Sequence, residues 1–192
     1  MLDIPCIIFA GGKSSRMGED KALLPFAGFT TLAEYQYNRL CKIFTNVYIS
    51  CKDKKKFPFQ AQFIEDKKES DTFAPTLAFV TLFEKLEDQH FFVISVDTPF
   101  IDETIIYSLV DADSDLYDAT IAKLDEKTQP LCGIYHRSLA NKFHQMLKQE
   151  NHKLGFLLKN SHTHYLNYSN QKAFMNLNDK TTYKKALKTL EN

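Results

Sequence analysis

Residues 9–24 read FAGGKSSRMGEDKALL. The stretch gathers three glycines (Gly11, Gly12 and Gly18) and three cations (Lys13, Arg16 and Lys21) directly behind an apolar run. Adjacent glycines let backbone N–H groups approach an anion closely, and neighbouring cations neutralise it. The chemistry that suits this spacing is the holding of a phosphate chain. Two familiar phosphate motifs do not fit. A Walker A loop ending in Gly12-Lys13-Ser14 would need its first glycine at Ile7, and a G-x-G-x-x-G fingerprint from Gly11 would need glycine at Lys13. The bland alternative is a glycine-rich turn with surface cations.

A second chemistry-bearing stretch is VISVDTPF, which sets Asp97 at the end of an apolar run. Magnesium takes oxygen ligands and often only one or two protein carboxylates, with phosphates and water completing its octahedron. Asp97 suits such an ion, or alternatively a simple turn or helix cap. His162 and His164 alternate along a strand-like segment but have no evident third metal ligand. Ser14 and Ser15 lie outside any nucleophile elbow. The phenylalanines read as core, and Tyr165 and Tyr168 suggest no chemistry.

The elements that must position these residues follow from periodicity. Residues 4–10 form a continuous apolar run stopped by Gly11-Gly12, the pattern of a strand buried on both faces. Thr30 and Thr31 offer caps for a helix to about residue 44. Strands are expected at 46–50 and 61–66, and a helix at 75–86 with Pro75 in its first turn. The apolar run 90–100 contains another strand. A helix capped by Asp102 follows at 102–110. Strands at 118–123 and 131–136, an amphipathic helix at 138–149, a strand at 164–169 and a closing helix at 179–192 complete the reading. The basic run 52–57 reads as a solvated loop. Strands alternating with helices imply an α/β layered domain with a mainly parallel sheet. In such sheets ligands bind beyond the carboxyl ends of the strands, where both marked stretches fall.

The 192 residues suffice for one domain with a substantial core. Twenty-four basic and twenty-four acidic residues balance, which argues against broad nucleic-acid binding. Cys6, Cys41, Cys51 and Cys132 form no C-x-x-C pair, so neither a disulfide scaffold nor a structural zinc site is expected. With no transmembrane-length apolar run and no signal-peptide pattern, the reading is cytoplasmic, with no membrane partner.

The pattern A-G-G-x-S-x-R-M-G-x-x-K at residues 10–21 resembles the opening of the nucleotidyltransferases that activate phosphorylated substrates with a nucleoside triphosphate. It is most similar to the molybdenum cofactor guanylyltransferases of the MobA type. The resemblance implies a single Rossmann-like three-layer α/β/α domain of the nucleotide-diphospho-sugar transferase type, its mainly parallel sheet carrying an antiparallel element in the second half, with residues 1–100 as the nucleotide-binding half and 101–192 as the pterin-substrate half. It implies that Phe9, Ala10, Gly11, Gly12, Ser14, Met17 and Gly18 line the GTP site. Lys13 and Arg16 would hold the β- and γ-phosphates, Lys21 would lie near the α-phosphate, and Asp97 would bind Mg²⁺. The segment SDTFAPTLAF at 70–79 resembles the family's G-P-L-A-G-like segment, with Ala74 and Phe79 at glycine positions, and carries over Asp71 as a nucleotide contact. AFMNLNDKTTYKKAL at 173–187 resembles F-x-N-x-N-T-P-E-x-L. Asn176 and Asn178 then fall on the pterin side, and Asp179-Lys180 replaces Thr-Pro. QPLCGIYH at 129–136 resembles a strand near the second substrate.

The activity implied is transfer of GMP from GTP to molybdenum-bearing molybdopterin, giving molybdopterin guanine dinucleotide and pyrophosphate. A phosphate monoester attacks in line without a protein nucleophile, so catalysis is positioning and charge neutralisation. Molybdenum-inserting and acceptor proteins are the implied partners. The other readings are a relative acting as a molybdopterin cytidylyltransferase or sugar-1-phosphate nucleotidyltransferase, and a non-catalytic nucleotide-binding adaptor.

Overall fold

The computed structural model describes residues 1–11, 18–66 and 75–190. The first apolar run forms strand β1 (Cys6–Phe9), with every residue buried. β2 (Val47–Cys51) and β4 (His90–Ser95) pair with it on either side, both parallel. β3 (Gln62–Glu65) adds to β2, also parallel. Beyond β4 the hairpin strands β5 (Ala119–Leu124) and β6 (Lys127–His136) enter, with β6 antiparallel to both neighbours. β7 (Thr163–Tyr168) closes the edge parallel to β5. The seven-stranded order is β3-β2-β1-β4-β6-β5-β7, and β6 is the antiparallel element expected from the sequence.

Successive side chains of a strand point to opposite faces, so a doubly buried strand feeds two cores. Cys6 and Ile8 join one cluster, and Ile7 and Phe9 the other. The first face is covered by α1 (Leu32–Leu40), α3 (Glu103–Asp111) and α6 (Lys180–Leu190). The second is covered by α2 (Pro75–Lys85), α4 (Ala140–Lys148) and α5 (Leu154–Lys159). The result is the expected three-layer α/β/α arrangement. Among the described residues no helix is long and apolar enough to cross a membrane.

Two caps operate as the sequence suggests. Thr31 accepts from the Glu34 N–H at 3.0 Å, and Asp102 accepts from the Ile105 N–H at 3.0 Å. Several boundaries differ. α1 stops at Leu40, because Phe44 must turn under the sheet to pack on Phe92 and lead the chain into β2. α5 was not expected: with six residues around Gly155 it has too short an apolar pattern to read. The basic run is not wholly a solvated loop. Lys54–Lys56 is a 3₁₀ turn capped by Asp53, and Lys56 is drawn inward.

Candidate functional site

Strands β1 and β4 run parallel and adjacent, so their carboxyl ends deliver Ala10-Gly11 and Asp97 to one rim. Ala10 is fixed by its N–H donating to Ser50 O at 2.9 Å. Gly12, Lys13, Ser14, Arg16 and Met17, all expected in the nucleotide site, lie outside the described residues, as does Asp71. The description resumes at Gly18, whose φ of 74° is the left-handed conformation glycine adopts freely. Its surroundings are open, so backbone conformation rather than space calls for glycine there. The chain then forms a 3₁₀ turn, Lys21–Leu23, capped by Asp20.

That turn aims Lys21 across the rim. Its Nζ donates to Asp97 Oδ2 at 2.9 Å and to Asn178 Oδ1 at 2.8 Å. Asp97 Oδ1 accepts from Ser95 Oγ at 2.6 Å, and the Asp97 carbonyl accepts from the Leu177 N–H at 2.9 Å. Residues separated by 76 and 157 positions therefore meet at one ammonium group. Lys21 and Asp97 remain in part accessible, with side chains 16% and 15% exposed. Asn176 is placed in the same segment but turns to its own backbone, Nδ2 donating to Phe174 O at 3.4 Å.

The turn carrying Asp97 is held from behind. Gln36, wholly buried on α1, donates through Nε2 to Ser95 O and Val96 O, each at 3.2 Å. Its Oε1 accepts from Arg39 Nε at 2.6 Å, and Arg39 Nη1 donates to Ile101 O at 2.7 Å. Thr98 Oγ1 donates back to Ser95 O at 3.0 Å. The segment carrying Asn178 is anchored by α6. Asp179 Oδ1 accepts from the Thr182 N–H at 2.8 Å while Thr182 Oγ1 accepts from the Asp179 N–H at 3.2 Å, a reciprocal cap. Asp179 thus caps the start of α6. Phe79, at a glycine position of the resembled segment, is wholly buried and stacks on Phe143 at 4.3 Å.

Two further residues belong to this rim and were not singled out from the sequence. Lys56 Nζ pairs with Asp20 Oδ2 at 2.5 Å and reaches Ala10 O at 3.4 Å, tying both sides of the glycine-rich segment together. Asp66 follows β3, its N–H donating to Cys51 O at 2.9 Å. Its Oδ2 lies 3.9 Å from the place a side chain on Gly11 would occupy. Oδ1 is buried with no hydrogen-bond partner among the described residues. Burial pushes the Asp66 carboxyl up to about 6, against Lys52, Lys85 and a hydrogen bond from Ser50, which pull it down. An acid at the carboxyl end of a parallel strand is the signal that could have found it.

His162 and His164 are absorbed structurally: His162 Nδ1 lies 2.6 Å from Leu116 O, and His164 stacks on Tyr117 at 4.7 Å. The four cysteines are free. Burial raises Cys51 and Cys132 to about 12 each, so neither offers a reactive thiolate.

A MobA-like NTP transferase domain model matches residues 6–165. The chain belongs to the MobA-like NTP transferase family. It is 36% identical over 183 residues to a protein named molybdenum cofactor guanylyltransferase from Campylobacter jejuni subsp. doylei, with 95% of each chain covered. A protein of the same name from Helicobacter pylori is 34% identical over 194 residues, covering 98% of this chain and 94% of its own. The fold is similar to that of molybdopterin-guanine dinucleotide biosynthesis protein A from Archaeoglobus fulgidus, with a TM-score of 0.83 at 19% identity, 98% and 99% of the two chains being covered. The matched domain is an NTP transferase domain and the curated relatives bear a guanylyltransferase name, both of the nucleotidyltransferase class. This chain is accordingly an enzyme of that class, with a role in molybdenum cofactor biosynthesis.

Proposed function

We propose that the enzyme transfers GMP from GTP to molybdenum-bearing molybdopterin, releasing pyrophosphate and forming molybdopterin guanine dinucleotide. The observation that carries this reading is the convergence of Lys21, Asp97 and Asn178 on the rim beside Gly11, in a chain whose relatives bear the guanylyltransferase name along nearly their whole length. On this reading residues 1–100 bind the nucleotide and 101–192 the pterin. Lys21 bridges the halves through Asn178 and lies where the α-phosphate is attacked. Lys13 and Arg16 are assigned to the departing pyrophosphate, with Phe9, Ala10, Gly11, Gly12, Ser14, Met17 and Gly18 lining the nucleotide. Asp71 remains a nucleotide contact and Asn176 a pterin contact in this proposal. Asp66 adds an acceptor beside Gly11 for a donor group of the nucleotide.

The residues fit a magnesium ion. Asp97 is an accessible carboxylate whose Oδ2 is paired with the Lys21 ammonium, so the site already accepts a cation against this oxygen. Bound there, Mg²⁺ would neutralise charge on the triphosphate. The chain's own residues orient the reactants: Ser95 and Gln36 hold the Asp97 turn, Lys56 and Asp20 hold the approach to the glycines, and α6 holds Asn178. The attacking group is itself a phosphate, so no side chain need become covalently attached, and the site contains no paired nucleophile and base among the described residues. Cytoplasmic location and hand-over from a molybdenum-inserting protein to an acceptor enzyme complete the proposal. Four free thiols, three of them buried, suit a reducing compartment.

The test is calorimetric binding of GTP, CTP, ATP and UTP with Mg²⁺, followed by pyrophosphate release with the pterin. A GTP preference and turnover nearly abolished by Asp97→Ala are expected. A CTP preference would move the product to the cytosine dinucleotide. Absence of binding to any of the four would end the proposal.

A further inference from the structure

A second cluster of metal-binding side chains lies at the far end of the sheet. β4 enters at His90 and leaves toward Asp97, so His90 is as far from the catalytic rim as this strand allows. His90 and His136 are register partners at the start of β4 and the end of β6. Their rings meet edge to face, 5.0 Å between centroids. The chain leaving α3 brings Asp113 and Asp115 beneath them. His136 Nε2 lies 3.1 and 3.0 Å from Asp113 Oδ1 and Oδ2. His90 Nδ1 lies 3.3 Å from Asp113 Oδ2.

The geometry points to a site for one divalent transition ion such as Zn²⁺, held by His90, His136 and Asp115 with Asp113 as the neighbouring carboxylate. One ligand atom each from His90, Asp115 and His136 lie within 4.8 Å of one another, and this is the metal-capable cluster among the described residues. Three features make it more than a histidine–aspartate pair. His90 Nδ1 is buried yet out of hydrogen-bond alignment, so it has no such partner among the described residues. A buried ring nitrogen left without a hydrogen bond is costly, and ligation satisfies it. Asp113 is pre-oriented by Thr120 Oγ1, which donates to its Oδ1 at 2.6 Å, the outer support that metal-site carboxylates receive. A depression of about 360 Å³ between α3 and β4, bordered by Ser114 and Ile4, opens onto the cluster and admits an ion from solvent.

The donor chemistry selects the ion. Two imidazoles and carboxylate oxygen suit Zn²⁺, Co²⁺ or Ni²⁺, whereas Mg²⁺ and Ca²⁺ take oxygen alone. Two neutral imidazoles and two carboxylates balance one divalent charge. The ion would clip the turn after α3 to β4 and β6. It differs in place and chemistry from the magnesium proposed at Asp97, so neither proposal depends on the other.

The test uses the full chain, stripped with a chelator and titrated with Zn²⁺ by calorimetry and with Co²⁺ by absorption. One Zn²⁺ per chain is expected, retained in millimolar Mg²⁺, with a higher Tm. Co²⁺ should give a d–d spectrum without thiolate charge transfer. His90→Ala and Asp115→Asn, both at accessible positions, should each weaken Zn²⁺ binding about tenfold or more. The double variant His162→Ala/His164→Ala should bind as the parent does. No stoichiometric Zn²⁺ binding, binding unchanged in both His90→Ala and Asp115→Asn, or a thiolate band would overturn the assignment and leave a histidine–aspartate ion pair.

Discussion

Lys21 concentrates the demands on the site in one side chain. It neutralises Asp97 and holds Asn178, and on the proposed reading it faces the triphosphate. A lysine ammonium serves this better than a guanidinium, because three tetrahedral donors can point at separate partners instead of forking onto one. On the proposed mechanism, removing it strips the transition state of a pre-positioned cation. Lys21→Ala should therefore lower kcat by about 10²–10³-fold. The same change should move stability by about 1 kcal/mol or less, because the Lys21–Asp97 pair is partly solvated. Pyrophosphate release and a thermal melt on one preparation separate the two effects. A loss of turnover matched by a large loss of Tm would make Lys21 a structural residue.

Elements set the precision of that residue, and the support is buried. Gln36 supplies donors to two carbonyls just before Asp97 and an acceptor to Arg39. Gln36→Leu fills the volume but leaves those groups unsatisfied, which should cost about 2–3 kcal/mol and lower kcat by shifting the Asp97 turn. The Tm should fall by about 2–4 °C for each kcal/mol in a chain of this size. Farther along the sheet, Gly133 of β6 permits the close approach of β5: a Cβ there would stand 2.2 Å from Thr120 O and 2.9 Å from Ile121 Cα. Gly133→Ala should destabilise by about 1–3 kcal/mol in urea unfolding, since backbone rather than a flexible side chain must yield. These positions explain what could be read in advance. β1 and β4 were legible because doubly buried parallel strands are continuous apolar runs, and Lys21, Asp97 and Asn178, which the fold brings together, stood out because their segments carry recognisable spacing. Gln36, Lys56 and Asp66 were not, because each acts through partners brought near only by tertiary pairing. A glutamine inside an amphipathic helix, a lysine in a basic run and an acid ending a short strand look ordinary in one dimension.

At the scale of the whole molecule, Asp66 couples the site to stability. Its folded-state carboxyl, pushed up to about 6 by burial, lies above its ordinary value of 3.8. The native state therefore holds the Asp66 proton more tightly than the unfolded chain does between those values. For this group, stability falls as pH rises from about 4 through 6, and the full cost is present above that window. Below about pH 4 both states are protonated and the group is silent. Asp66→Asn keeps the shape and removes the charge. It should raise the ligand-free Tm by about 2–4 °C at pH 7.5, on the order of 1 kcal/mol once solvent screening is allowed for, and change little at pH 4. The gap between the two melting curves should open as pH passes 6. The same variant should bind Mg-nucleotide about tenfold more weakly if the buried Asp66 Oδ1 receives a donor from the ligand. Opposite signs in stability and binding are what a carboxylate kept for function produces, since a residue that only packed would lose on both counts. A variant less stable than the parent at pH 7.5, or one whose Tm gain is the same at pH 4, would show that burial does not hold Asp66 in its strained ionised form.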